Sequence, residues 1–541
     1  MMRVADWIMK RLADEGLRHI FLLPGGGAMY LNDALACEPR ITPVPCHHEQ
    51  ACGIAADAYG RTGHPDNPGF GVALVTTGPG ATNLITPVAG AWIDSVPMLV
   101  FSGQVKRQDS LSGRPLRQGG VQEVNILSLV SPITKYTATL NHPFEVRDKL
   151  ETALHKMKSG RPGPVWIEVP LDVQGAQIDP TMLEAPSFND LPIAPPASSQ
   201  IKRVLALLEE SDRPLILAGH GVRLANASTE FVELIEKLQI PVVCSWNALD
   251  LLPHEHPLYV GSPGVVALRA PNFAIQNCDL LISIGCRLDN VITAYNPSSF
   301  AKNASLIVVD IDNNELDNHR LDIAEKVHAN ALDFICALNQ QCSSTLSERK
   351  SWTSQCISWK NRYPVNDGKP FSNEESISHY YFVDILSDVL PENVIISTGS
   401  SGLAIEVFYS TFRSKLNQRI FLTSGLGSMG YGLASSIGAC LGDNSRPVIA
   451  IESDGSLMLN LQELATLKAL DLPLKLIVMD NNGYASIRNT QRNYFEGRFI
   501  ATGSNSGLYI PDLAEVAETM GLSSIRINSP KELKSRLKSF L

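Results

Sequence analysis

The most constraining stretch of this sequence runs from Pro447 to Gly483. An apolar, β-type run, Pro447 to Ile451, ends in the acidic turn Ser453-Asp454-Gly455-Ser456, and an amphipathic helix follows through Leu461-Gln462-Glu463-Leu464. A second apolar run, Leu474 to Met479, ends in Asp480-Asn481-Asn482-Gly483. Strand, helix and strand in that order make a βαβ unit. Both turns then lie at the carboxyl ends of neighbouring strands, where open α/β sheets bind ligands. Asp454 and Asn481 are therefore expected to meet in space. A carboxylate, an amide oxygen and the backbone carbonyl of Gly483 suit a hard divalent cation that keeps octahedral oxygen coordination and shares it with diphosphate oxygens. Mg²⁺ holding a diphosphate is one reading; turns that merely join two strands are the other.

At 541 residues the chain is too long for one core and is expected to form roughly three or four units. With 44% hydrophobic and 18% charged residues it has an ordinary globular composition. The net charge of −10 argues against a nucleic-acid surface and leaves no basic stripe for an anionic membrane. Ten cysteines are scattered without CxxC pairs or His partners at zinc spacing, which reads as reduced thiols in a cytosolic protein. Met1 to Lys10 lacks the order of a signal peptide, and the longest apolar stretch, Val72 to Gly103, is broken by prolines, Asn83 and Asp94.

The expected fold is α/β, with three doubly wound domains at residues 1–174, 198–345 and 373–541 and a Pro/Ser-rich connector from Pro192 to Ser199. In the first, a strand from His19 to Leu23 enters Pro24-Gly25-Gly26-Gly27. Gly26 there permits either close approach to a ligand or only a tight turn. A strand from Thr42 to Pro45 leads into His47-His48-Glu49-Gln50-Ala51, followed by a small-residue helix, Cys52 to Tyr59. Glu49 thus stands at a helix start, where a carboxylate is often no more than a stabilising charge. In the second domain, strands Leu215 to Ala218, Val242 to Cys244, Leu280 to Ile284 and Leu306 to Ile311 alternate with helical patterns. The third has a helix at Asp384 to Leu390, a strand at Val394 to Ser397 and the turn Thr398-Gly399-Ser400-Ser401-Gly402. Hydroxyls and N–H groups at that helix start suit diphosphate oxygens.

Several motifs occur in a fixed order: His48-Glu49-Gln50, Gly78-Pro79-Gly80-Ala81-Thr82-Asn83, Asp94-Ser95-Val96-Pro97, Gln122-Glu123, Arg161-Pro162-Gly163-Pro164, Ser424-Gly425-Leu426-Gly427-Ser428-Met429-Gly430, and the 453–483 unit. Taken together they resemble the acetolactate synthase group of thiamine-diphosphate enzymes over nearly the whole chain. The last segment resembles that family's Gly-Asp-Gly to Asn-Asn signature, with Ser453 in place of the first glycine. The resemblance implies pyrimidine-binding, central and diphosphate-binding domains, with thiamine diphosphate and Mg²⁺ as cofactors. It also implies FAD, structural rather than redox-active, in the central domain. Glu49 would hydrogen-bond N1′ of the aminopyrimidine from an apolar pocket that raises its pKa, with Gln122 close to the chemistry. The Gly427 carbonyl would accept from the 4′-amino group and Met429 would hold the cofactor bent. Gly26, Gly80 and Asn83 would line the cofactor, and Ser400, Ser401, Gly455 and Ser456 its diphosphate. Asp454, Asn481 and Gly483 would bind the metal. Gly219, Gly221, Gly285, Arg287 and Asp310 would contact the flavin dinucleotide.

Departures from the family pattern concern the acceptor and the flavin. Val291 stands where the family carries an Arg able to pair with the acceptor's carboxylate, and Thr490 where it carries a Trp that shapes acceptor choice. Gly261-Ser262-Pro263-Gly264 replaces Gly-Met-His-Gly, and Asn330 an Asp. The expected activity is decarboxylation of pyruvate and transfer of the two-carbon unit to a ketone or aldehyde without a nearby carboxylate, such as a keto-sugar. Acetolactate formation from two pyruvates and simple decarboxylation are the alternatives. Family architecture implies that Glu49 of one subunit faces Asp454 and Asn481 of another, in a homodimer commonly paired into a homotetramer.

Overall fold

The computed structural model describes residues 1–62, 67–111, 113–189, 192–318, 320–342, 349–371, 376–400 and 402–541. The three doubly wound α/β layers expected from the sequence are present, each built on a parallel sheet. The first has the strand order Thr42–Pro45, His19–Leu22, Gly71–Val75, Met98–Gln104, Val165–Pro170, Tyr136–Thr139. Every neighbouring pair in it is parallel. The second is ordered Tyr259–Gly261, Val242–Cys244, Pro214–Ala218, Leu280–Ile284, Ser305–Asp310, Glu325–His328, again all parallel. In the third, Val448–Ser453 lies between Ile395–Thr398 and Leu474–Met479. These strands are short apolar runs bounded by Gly, Pro and Asp, the pattern of sheets covered on both faces. Each sheet reverses its strand order, between His19–Leu22 and Gly71–Val75, between Pro214–Ala218 and Leu280–Ile284, and between Ile395–Thr398 and Val448–Ser453, and the first sheet reverses again at its edge, where Tyr136–Thr139 lies outside Val165–Pro170. Crevices at such reversals are the ligand sites of this fold class. Among the described residues no helix is long and apolar enough to cross a membrane.

Compactness divides the chain differently from sequence order. One unit comprises Met1–Asp190, Ile395–Gly402 and Phe421–Ser524, and the other Leu191–Val394, Leu403–Ile420 and Ile525–Leu541. The first unit thus contains both sheets expected to hold the cofactor, and one core runs through it. Trp166, Phe101 and Ile54 share that core with Phe421, Ala434 and Val448. The seam is the pairing of helix Glu49–Arg61 with helix Tyr431–Gly442. Both helices are rich in small buried residues, Ala51, Cys52, Ala55 and Ala58 on one and Ala434, Gly438 and Ala439 on the other. Small side chains bring the two backbones together, so a Cβ at Gly438 would lie 2.0 Å from the Ala55 carbonyl oxygen. That oxygen belongs to a rigid helix and cannot yield as a side-chain tip would.

The central unit has its own core around Leu217, Val243, Leu281 and Val308. A buried aspartate organises part of it: Asp250 pairs with Arg223 at 2.9 Å and with Arg419 at 3.1 Å, and accepts the N–H of Ile420 at 2.8 Å. Burial would push its carboxyl up, but the two guanidinium groups hold it below the usual range.

Gly438→Ala should destabilise the cofactor-free protein by about 1–3 kcal/mol through overpacking, read as a lower denaturant midpoint at unchanged slope. An unchanged midpoint would mean that the helices can separate at no cost.

Candidate active site

Two groups of side chains gather in the first unit, each at a strand-order reversal. The first surrounds Glu49. The chain leaves strand Thr42–Pro45 and enters helix Glu49–Arg61, with the His48 ring capping the helix by accepting the Gln50 N–H at 3.0 Å. This puts the Glu49 carboxylate at the helix start, 7% exposed, where its Oε2 accepts from Asn83 Nδ2 at 2.9 Å. A Cβ at Gly80 would lie 3.4 Å from Oε1. Glu49, Gly80 and Asn83 are therefore brought together. The pocket is not the purely apolar one expected, because an amide donates to the carboxylate. Gly25 and Gly27 pack on Thr76 and Thr77, whereas a Cβ at Gly26 would meet no atom within 4 Å. Gln122 is exposed, with φ +66°, and its carbonyl oxygen would be 2.2 Å from a Cβ at Gly78, which itself has φ +62°. Only glycine fits that crossing.

The second group surrounds Asp454, which is fully buried at the end of strand Val448–Ser453. Its Oδ1 accepts the N–H of Gly455 at 2.7 Å, and its Oδ2 accepts those of Asn481 at 3.2 Å and Gly483 at 2.8 Å. The acidic and amide turns thus meet through the carboxylate. Burial pushes the Asp454 carboxyl up, and nearby Asp480 adds to this. A cation at this carboxylate would offset both effects. Asn481 Oδ1 is buried and has no hydrogen-bond partner, and the same holds for Ser400 Oγ. Orphaned buried acceptors and hydroxyls are uncommon and point to a missing partner. These atoms, with the Asp454 carboxylate, fit a divalent cation and the oxygens of a diphosphate. Ser401 lies outside the described residues.

The loop before helix Tyr431–Gly442 joins this group. Gly427 and Gly430 have φ of +67° and +78°, the Gly430 N–H donates to Ser456 Oγ at 2.9 Å, and Asn460 Nδ2 donates to the Gly430 carbonyl at 2.8 Å. Gly427 and Met429 are thereby presented beside the acidic turn, Met429 half-buried. Gly455 is needed because a Cβ there would meet the Tyr484 ring at 2.7 Å.

Two residues of this group are not among those singled out from the sequence. Glu452 is fully buried, with its pKa pushed up to about 7 by burial, and it accepts the N–H of Gly432 at 2.7 Å and of Ser453 at 3.1 Å. A Cβ at Gly399 would lie 2.0 Å from its carboxyl, so that glycine makes room for it. Arg488 donates to the carbonyls of Asn481, Asn482 and Thr502, the second at 2.8 Å, and clasps the amide turn. A charged residue at the end of an otherwise apolar strand was the available signal for Glu452. Nothing local marked Arg488.

The segments that carry the two groups meet at their margins, where the His47 N–H, two residues before Glu49, donates to the Glu463 carboxylate at 3.0 and 3.3 Å. In the central unit, Gly219, Gly221 and Gly285 come together at the strand-order reversal, but they pack on one another. The N–H groups of Gly219 and Gly221 donate to the carbonyls of Ile284 and Gly285, both at 2.9 Å, and a Cβ at Gly219 would be 2.1 Å from the Gly285 oxygen. Arg287 pairs with Asp289 at 3.2 Å, and Asp310 accepts the N–H of Asp312 at 2.9 Å. These three glycines are accounted for by packing and offer no free N–H cradle to a flavin diphosphate at Gly219 or Gly221.

Comparison with known proteins agrees with the arrangement. Residues 2–129 match the thiamine pyrophosphate enzyme N-terminal TPP binding domain, 201–338 its central domain and 398–541 its C-terminal TPP binding domain. The chain is 34% identical to the probable acetolactate synthase large subunit of Methanocaldococcus jannaschii, over 99% of this chain and 89% of that protein. It is 31% identical to the acetolactate synthase large subunit of Corynebacterium glutamicum, over 98% and 83%, and to the isozyme 1 large subunit of Escherichia coli, over 99% and 91%. With all three domains in family order and relatives at 31–34% identity over nearly the whole chain, the chain belongs to the thiamine-diphosphate-dependent enzymes of the acetolactate synthase group.

Proposed function

We propose that this carboligase decarboxylates pyruvate and transfers the two-carbon unit to a second pyruvate, forming acetolactate. The observation that carries the chemistry is the buried Asp454 carboxylate tied to the Asn481 turn beside an unpartnered amide oxygen. The names of near-full-length relatives support the product. Asp454, Asn481 Oδ1 and the Gly483 carbonyl would hold Mg²⁺, with Ser400 and the Gly455-Ser456 turn at the diphosphate. Bound thiamine diphosphate supplies a carbanion at its thiazolium C2 and an electron sink for decarboxylation.

The chain's own residues control position and protons. The Glu49 carboxyl holds the proton at the pyrimidine N1′, and Asn83 keeps that carboxyl oriented. Gly427 would offer its carbonyl to the 4′-amino group, and Met429 would support the cofactor beside it. On the family resemblance, in which Glu49 of one subunit faces Asp454 and Asn481 of another, we assign the two groups of one chain to different sites of a homodimer. Exposed Ile487, Tyr494, Ile500 and Tyr509, the last three at 78, 74 and 80%, suit burial against a second copy. Flavin has only the family resemblance behind it and enters no step. All ten cysteines are free thiols, which suits a cytosolic enzyme.

A second reading rests on Val291 and Thr490. Neither can supply the guanidinium or indole that the family uses on the acceptor side, which favours an uncharged ketone such as a keto-sugar.

Labelled pyruvate with thiamine diphosphate and Mg²⁺ should yield acetolactate as the main product. Cross-products with uncharged ketones and little acetolactate would shift the assignment to the second reading. Glu49→Gln should keep the Mg²⁺-dependent thermal shift given by thiamine diphosphate yet lose turnover by on the order of 10²–10⁴-fold. Asp454→Asn should lose the shift itself. Full turnover in either variant would contradict the site.

A further inference from the structure

Four buried polar side chains take no part in the binding or chemistry described above. Asp57 and Tyr431 are 2% exposed, Arg61 6% and Asp94 8%. Arg61 lies between the two carboxylates: its Nε and Nη2 donate to Asp57 at 2.8 and 3.2 Å, and Nη2 also donates to Asp94 at 3.0 Å. The Tyr431 hydroxyl donates to Asp57 at 2.7 Å. Their remaining bonds reach the backbone of one loop. Arg61 Nη1 donates to the Leu422 carbonyl at 3.1 Å, and Asp94 accepts the N–H groups of Ser424 and Gly425, each at 3.1 Å. Tyr431 begins the helix at the loop's other end.

The segment from Leu422 to Tyr431 is thus gripped at both ends by helices Glu49–Arg61 and Ile85–Asp94. Gly427 and Met429 lie between the grips. A buried ionic cluster is a poor source of stability, since apolar residues of equal volume pack at least as well. What it provides is direction: a carboxylate accepting two successive backbone N–H groups sets the path of the loop, which a greasy contact would leave free to slide. Helix Glu49–Arg61 spans about 18 Å and carries Glu49 at one end and Arg61 at the other, so one rigid element fixes both Glu49 and the Gly427 loop.

We propose that Asp94, Arg61, Asp57 and Tyr431 are positioning residues that hold the loop bearing Gly427 and Met429 in register with the cofactor's aminopyrimidine. This inference rests on the thiamine-dependent reading of the site.

The test uses Asp94→Asn and the milder Tyr431→Phe, which removes a single oxygen, in the cofactor-loaded enzyme. Turnover, pyruvate KM, Tm and the near-UV circular dichroism that reports the tautomer of the bound aminopyrimidine would be measured together. Asp94→Asn should lower kcat by on the order of 10²-fold, the cost of a small misplacement. Tyr431→Phe should lower it less, with KM within about twofold and Tm close to the parent. Both should alter the dichroism. Wild-type kcat in the folded variants, or losses that track Tm with an unaltered spectrum, would overturn the proposal and leave the cluster as packing. Full turnover of Glu49→Gln would instead remove the thiamine reading itself, and this inference with it.

Discussion

The close pairing of helices Glu49–Arg61 and Tyr431–Gly442 is the constraint on which the rest of the first unit depends. With a glycine on one helix against a carbonyl of the other, the backbones have no room to shift, and the sheets behind them are held through one continuous core. This is why the two sheets expected to serve the cofactor sit in one compact unit while the stretch between them in sequence folds apart. The ionic cluster at Arg61 then converts a rigid seam into a defined loop path. Removing one charged member of such a cluster leaves a buried charge uncompensated, typically a loss of about 3–5 kcal/mol, a cost that the neutral Tyr431 hydroxyl does not carry.

Burial also sets the electrostatics of the Asp454 group. Asp454 and Glu452 stand two residues apart, both fully buried, and burial pushes both carboxyls up. Backbone N–H groups meet part of that cost, from Gly432 and Ser453 for one and from Gly455, Asn481 and Gly483 for the other. The unpartnered oxygen of Asn481 and hydroxyl of Ser400 show where protein alone does not complete the set. A divalent cation with diphosphate oxygens would supply what those atoms lack, and its binding would then be coupled to the folding of its own site.

The parts of this arrangement legible in the sequence were those governed by local rules. Strands Thr42–Pro45, Val242–Cys244, Leu280–Ile284 and Leu474–Met479 follow directly from apolar runs with turn residues at their ends. The approach of Asp454 to the Asn481 turn follows from the handedness of a βαβ unit. What escaped was set by contacts distant in sequence. The helix after Asp454 is two pieces, Asp454–Leu457 and Glu463–Leu470, and Asn460 between them turns its amide to Gly430. Asp94 meets Ser424 across 330 positions, and no periodicity in either segment announces it. The central-domain glycines read as a dinucleotide signature, yet their nearest neighbours are one another, because tight turn packing and ligand approach demand the same residue.

On the proposed function, one chain contributes its Glu49 group and its Asp454 group to two different active sites. Co-expressing Glu49→Gln and Asp454→Asn chains with separate tags, then isolating the mixed oligomer, tests it most directly. Each variant alone is expected to be inactive. The mixed oligomer should regain activity, since it contains one site with both an intact Glu49 and an intact Asp454. A mixed oligomer as inactive as its parents would place both groups in a site within a single chain and contradict the account.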